Sequence, residues 1–408
     1  MRFCRVVACL VVSVLVASPL AAVTRRMFIT SVTGTGNLST WADAGGLTGL
    51  DAADAICQAR ATAASLPNAA GYRAWLSDSV DDAYCRMHNL NGKRATNCGQ
   101  ATLPAAAGPW WRTDGKPFGA GLPDLVAPLE KVLQPPSVDE FGVNLQIAAA
   151  WTGTGLDGAA GPATCADWTS AVSVDPVHNG SAYRTSGSWI FSGNATCSAL
   201  VLRLYCFETG PGDPLPAFPA SGRLAFVTSA EGAGDLSAWP AAAGATGLAA
   251  GDAICRNLAL AAGIRQAESF KAWLSADGTS AIGRFQHDGP WMRPDGIVVA
   301  KSRQDLTDGY LDSPINRTET GLYLGGNGIW TGTLLSGLPS SANCSNWNST
   351  ATTGEYGSAN TILYTWTSEG ALTCGFAYAN FYCLQDLPLI FLDGFESHGT
   401  EAWSVTLP

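Results

Sequence analysis

Apolar positions along this chain fall into runs of two kinds. Met27-Phe-Ile-Thr30 has the length and character of a strand. Tyr72-Arg-Ala-Trp-Leu76 alternates and is rich in aromatic residues, which predicts another. Between them lies an Ala-rich run to Ala64, in which Leu50, Ala53, Cys57 and Ala61 recur at spacings of three and four. That period predicts a helix with Cys57 on its inward face. Ahead of it, Thr48-Gly-Leu-Asp51 reads as a capping signal, a hydroxyl followed three residues later by an acid.

The pattern then returns. Asp54-Ala-Ile-Cys57 is repeated as Asp252-Ala-Ile-Cys255, and Tyr72-Arg-Ala-Trp-Leu76 as Phe270-Lys-Ala-Trp-Leu274. Gly108-Pro-Trp-Trp-Arg-Thr-Asp-Gly115 matches Gly289-Pro-Trp-Met-Arg-Pro-Asp-Gly296. The spacing between copies falls from 198 residues at Asp54 and Asp252 to 181 at Gly108 and Gly289, so the first copy carries a 17-residue insertion. Cys85 borders that insertion and Cys98 lies inside it; neither has a counterpart, so the two are expected to pair with each other. Further on, Trp151-Thr-Gly, Cys165-x-x-Trp168, Cys197 and Leu204-Tyr-Cys206-Phe return as Trp330-Thr-Gly, Cys344-x-x-Trp347, Cys374 and Phe381-Tyr-Cys383-Leu. The expected organisation is a leader over 1–22, a first repeat over 23–208, a Pro/Gly linker over 209–222, a second repeat over 223–385 and a tail over 386–408.

The leader has the form of a secretory signal. Arg2 and Arg5 precede a short apolar run from Val6 to about Leu20, and small residues invite cleavage after Ala22. The alternative, an uncleaved anchor, has an apolar run shorter than the roughly 20 residues a spanning helix wants. The protein is therefore expected to be secreted or displayed at the cell surface, with the periplasm as a further compartment and no membrane span after cleavage. Twelve cysteines become ten once Cys4 and Cys9 leave with the leader, and an even number in an oxidising compartment reads as disulfides. Spacing alone leaves the remaining pairs open. A nested arrangement would join Cys57 to Cys206 and Cys165 to Cys197, then Cys255 to Cys383 and Cys344 to Cys374. The formal charge of −10 makes a nucleic-acid partner a poor expectation.

Each repeat resembles a C-type-lectin-like domain of the endostatin-like kind, found in endostatin-like outer-membrane proteins of spirochaetes and related bacterial secreted proteins. The residues carrying the likeness are Asp54-Ala-Ile-Cys57, Tyr72-Arg-Ala-Trp-Leu76, Trp151-Thr-Gly, Cys165-x-x-Trp168 and Leu204-Tyr-Cys206-Phe-Glu208, with their second copies. The resemblance implies an α+β fold in two tandem copies, a mostly antiparallel sheet and the nested disulfides. It also implies adhesion to, or capture of, extracellular protein or matrix ligands.

Candidate chemistry is sparse. The Glu-Pro-Asn or Gln-Pro-Asp and Trp-Asn-Asp motifs of calcium-dependent lectins have only the departures Gln134-Pro-Pro136 and Ser345-Asn-Trp-Asn348 here, which lack the carboxylates a hard cation wants. Gly153-Thr-Gly-Leu-Asp-Gly158 fits a dinucleotide pattern but lacks the strand-to-helix setting, and reads as a loop. His88, His178, His287 and His398 stand apart from metal-ligand partners and read as surface or loop residues. No nucleophile elbow or free cysteine is evident, so no enzyme, metal or cofactor is expected. Trp41, Trp75, Trp151 and Trp168 recur and read as core. Trp110, Trp111 and Arg112, with Trp291 and Arg293, combine aromatic and guanidinium groups between turn residues and are the candidate ligand contacts. Phe391-Leu-Asp-Gly-Phe-Glu-Ser397 reads as a sorting or anchoring tag.

Overall fold

A computed structural model describes residues 23–388 apart from 173, 175, 219–221 and 327. The leader and the tag-like segment lie outside the described residues. The described chain is a mixed α+β protein with two eight-stranded sheets and five disulfides.

The first sheet contains β1 (Arg25–Ile29), β2 (Tyr72–Ala74), β3 (Trp110–Arg112), β4 (Pro117–Gly119), β5 (Ala149–Trp151), β6 (Val177–Ser181), β7 (Gly193–Ala195) and β8 (Arg203–Glu208). Its order is β4-β3-β1-β8-β5-β6-β7, with β2 also pairing to β8. The second sheet contains β9 (Arg223–Val227), β10 (Phe270–Ala272), β11 (Trp291–Met292), β12 (Val298–Ala300), β13 (Gly328–Trp330), β14 (Thr353–Ser358), β15 (Gly370–Thr373) and β16 (Asn380–Gln385). It repeats the same order, β12-β11-β9-β16-β13-β14-β15, with β10 on β16.

Alternation along the central strands decides where the cores lie. On β8, Leu204 and Cys206 face one apolar cluster while Tyr205 and Phe207 face another. On β16, Phe381 and Cys383 divide from Tyr382 and Leu384 in the same way. Both strands are therefore buried on both faces, which explains why each reads as a continuous apolar run. The 15-residue helices Gly49–Ala63 and Gly247–Ala261 cover the cysteine-bearing face, and each is bolted to the central strand by Cys57–Cys206 or Cys255–Cys383. On the chain-entropy view, loops this long make each bridge worth up to ~5 kcal/mol. Cys85–Cys98, Cys165–Cys197 and Cys344–Cys374 complete the set. Gly36 and Gly234 are required beside the last two, because a Cβ at either would overlap the sulfur of Cys165 or Cys344.

Thr48 does precede the first helix, but its hydroxyl makes no capping bond, so the expected capping box is not formed. A second departure is a left-handed single turn. Cys165, Ala166, Asp167 and Trp168 have φ of 52, 50, 53 and 66°, and Cys344, Ser345, Asn346 and Trp347 have 53, 51, 59 and 65°. L-residues disfavour this region by ~1–2 kcal/mol each. Anchors at both ends hold it: the disulfide at one, and at the other the Trp168 and Trp347 indoles, which donate to the carbonyls of Ser77 and Ser275 at 2.8 Å.

The halves meet directly. Thr185 N donates to Asn360 O (2.7 Å) and Ile362 N donates to Tyr183 O (3.2 Å). The register of β5 on β6 and of β13 on β14 makes Tyr183 correspond to Asn360 and Thr185 to Ile362, so the contact is a short antiparallel ladder between equivalent segments. Lys116 to Asp312 (3.2 Å) and Arg184 to Glu369 (3.3 Å) flank it. The Pro/Gly segment after β8 is pinned as well: Gly212 N donates to Gly108 O, and Asp213 exchanges bonds with Val23.

Candidate functional site

The aromatic and guanidinium segments singled out in sequence do not form a surface. Trp110–Arg112 is a strand running parallel to β1, and it ends in a turn in which Gly115 N donates to Arg112 O. Trp110 and Trp291 are fully buried and donate their indole N–H groups to the carbonyls of Glu208 (2.8 Å) and Gln385 (2.9 Å). Arg112 is buried between Asp114 and the Pro135 carbonyl. Arg293 is fully buried; it grips Asp295, accepts no solvent contact, and donates to Asn316 Oδ1 (2.8 Å) and, across the halves, to Leu133 O (3.0 Å). These four are corrected from candidate ligand contacts to internal struts, because their donors are consumed within the fold. Trp111 alone is half-buried, set edge-on against Phe218 of the connecting segment.

Of the described histidines, His88 and His287 lie in turn or loop positions, as expected, while His178 is on β6. His88 is half-buried beside Tyr84, its Nε2 has no hydrogen-bond partner among the described residues, and burial lowers its pKa to about 4. His178 stacks on Phe191 and lies 3.0 Å from the Thr154 carbonyl. His287 Nδ1 is 2.8 Å from Asp386. Asp386 falls at the start of the expected tail, yet it is woven into the second half through Lys271, His287 and the amide of Gln286. His398 lies outside the described residues. Among the described residues, no cluster of three or more His, Cys, Asp or Glu side chains could hold a metal ion, and no helix is long and apolar enough to cross a membrane.

Asp54 joins the helix to the sheet. It accepts from Ala74 N (3.0 Å) and pairs with Arg86 and, at 3.7 Å, Arg73. Burial raises its pKa, while Arg86, the Ala74 amide and Arg73 pull the other way. Asp252 repeats the arrangement with Ala272 N (2.9 Å) and Arg284 (2.6 Å). Arg86 and Arg284 stand at matching places in the two copies, which is the sequence signal that identifies them as the partners. A polar cleft of about 360 Å³ opens beside Asp54 in the first half, with Asp51, Gln58 and Arg73 in its wall.

The halves also differ at the surface where the last strand begins. The register of β6 on β7 and of β14 on β15 aligns Asn179 with Tyr356, Ala199 with Phe376, Val201 with Tyr378 and Arg203 with Asn380. In the second half Phe376 and Tyr378 form an exposed edge-on aromatic pair, Tyr378 being 64% exposed. In the first half the same region is a groove of about 620 Å³ lined by Ile147, Asn179, Ser181, Asn194, Val201 and Arg203 among others. Sequence reasoning missed both, since single residues at strand ends carry no motif. Compared with known proteins, no family model matches the chain and no curated protein matches it.

Proposed function

We propose that this chain is a secreted or surface-displayed binding protein, made of two tandem C-type-lectin-like domains of the endostatin-like kind, that engages extracellular protein or matrix ligands without catalysing a reaction. The observation that carries this reading is a contrast within the molecule. Much of the internal frame recurs, as in Trp110 and Trp291, Asp54 and Asp252, or Trp168 and Trp347, while the exposed positions before β8 and β16 differ. A scaffold held constant with a varied surface is the economy of a recognition protein. Five disulfides suit an exported role.

Immobilised full-length protein should retain a defined extracellular protein or matrix component, saturably and in the presence of chelator. Failure to retain any, or turnover of generic ester, glycoside or peptide substrates by the pure protein, would overturn the reading in favour of a hydrolase. A second reading, calcium-independent carbohydrate binding, is favoured by the exposed Phe376–Tyr378 pair, whose apolar ring faces suit the C–H face of a sugar.

A further inference from the structure

The chain is strongly acidic, yet the groove at the start of β8 has no carboxylate among its lining residues, and its one charged member is Arg203. The Arg203 Nη1 donates to the Thr30 carbonyl (2.7 Å) and to the Ser31 carbonyl, which fixes the guanidinium. Its Nε and Nη2 donate to nothing among the described residues and are not sealed from solvent. Both acids of the neighbouring loop are committed elsewhere: Asp139 accepts from the amides of Phe141 and Val143, and Glu140 pairs with Arg60 and Ser31. Burial lowers the Arg203 pKa, with Asp139 and Glu140 only partly compensating, which accords with a partly dehydrated guanidinium that has two donor atoms open to a ligand.

The remaining lining residues narrow the ligand. Asn179 and Asn194 offer side-chain amides that bond nothing else among the described residues, and Ser181 and Ser192 share one hydroxyl contact at 2.7 Å. Ile147 and Val201 supply exposed aliphatic wall, at 66% and 74% exposure. One guanidinium fork, neutral amides and hydroxyls, and aliphatic edges in a groove of about 620 Å³ fit a small ligand that has one carboxylate and several hydroxyls. We propose that this groove binds a carboxylate-bearing saccharide of one or two rings, with the carboxylate on Arg203 and ring hydroxyls on Asn179 and Asn194. The site belongs to the first half alone, because Asn380 occupies the corresponding place in the second. The proposal rests on the binding-protein reading and specifies one ligand class for it.

Methyl glucuronide, titrated calorimetrically into the full-length protein, tests this. Binding should saturate, and methyl glucoside should bind at least about tenfold more weakly, the worth of one charge-assisted pair. Arg203→Asn copies the second half, where Asn380 bonds the carbonyls of Thr228 and Ala230, so the variant keeps the local tie while losing the fork. It should lose glucuronide binding by about tenfold or more, and Asn179→Ala should weaken it by about threefold with the fold unchanged by circular dichroism. Equal binding of glucuronide and glucoside, no binding of either, or preference for a short peptide with a free C-terminal carboxylate over its amide and over glucuronide would overturn the proposal. Retention of a macromolecular partner by Arg203→Asn protein, with wild-type protein indifferent to glucuronide, would sink this site while leaving the binding-protein reading intact.

Discussion

Ile190 stands where Trp75 needs a hydrogen-bond acceptor. The Trp75 indole N–H is buried and has no partner among the described residues, whereas its counterpart Trp273 donates to the hydroxyl of Thr367 at 2.9 Å. Ile190 and Thr367 occupy equivalent positions, one residue after Trp189 and Trp366. The two halves thus contain the same pair in a satisfied and an unsatisfied state.

Ile190→Thr should therefore stabilise the protein by about 0.5–1.5 kcal/mol, the net worth of one buried hydrogen bond. Thr367→Ile should cost about 1–3 kcal/mol, because it strands the Trp273 N–H. Denaturant midpoints of the two variants against the parent check both signs, and a destabilised Ile190→Thr would show that the smaller apolar side chain matters more than the bond.

The left-handed turns make a second prediction. Ala166 and Ser345 are exposed and have φ near 50°, where a Cβ is disfavoured and glycine is not. Ala166→Gly and Ser345→Gly should each raise stability by roughly 1 kcal/mol despite the greater freedom glycine gives the unfolded chain. An unchanged or lowered midpoint in urea would contradict the strain assigned to these turns.

Much of the frame was legible in the sequence and these turns were not. Period-two and period-three-to-four patterns expose which faces of β2 and the first helix are apolar, the unbroken apolar run marks β8, and the recurrence of these patterns along the chain multiplies the signal. Nothing periodic marks a four-residue left-handed turn; its trace is only Asp167 and Asn346, residue types that tolerate the conformation. The candidate contacts misled for a related reason. An Arg beside a Trp is as fit for a buried strut as for an interface, and only the carbonyls of Pro135 and Leu133, far away in sequence, separate the two.

Removing such a strut should act on stability rather than on any ligand. Arg293→Ala leaves Asp295, whose pKa the neighbouring Arg293 and Arg317 hold low against burial, with half its partners. The expected loss is about 3–5 kcal/mol, measured by thermal or denaturant unfolding. Weakened binding at unchanged stability would return Arg293 to the list of contacts.

Acid should act in two steps. His88 has its pKa lowered by burial from 6.5 to about 4, so between those values the unfolded chain binds a proton that the folded chain refuses. Stability contributed by neutral His88 is complete above pH 6.5 and declines as the pH falls towards 4. Burial pushes the Asp386 pKa up, but Lys271, His287 and the Gln286 amide together bring it down to about 2. Its contribution is present above pH 3.8 and is lost as the pH falls through 2. His88→Phe should flatten the upper step only, in chemical-denaturation curves collected across the range.

The nested bridges also determine how the protein would respond to being pulled. Cys57–Cys206 spans 149 residues and Cys255–Cys383 spans 128, and each links a helix near the start of its half to the strand near the end. Tension applied at the termini passes through these covalent shortcuts and bypasses the chain enclosed by them. At about 3.5 Å per residue, roughly 500 Å and 450 Å of chain stay locked. Under load the molecule would lengthen only by its outer segments and the connection between halves; Phe376 and Tyr378 stay inside a covalent loop, while the first-half groove would feel the load through Thr30 and Ser31.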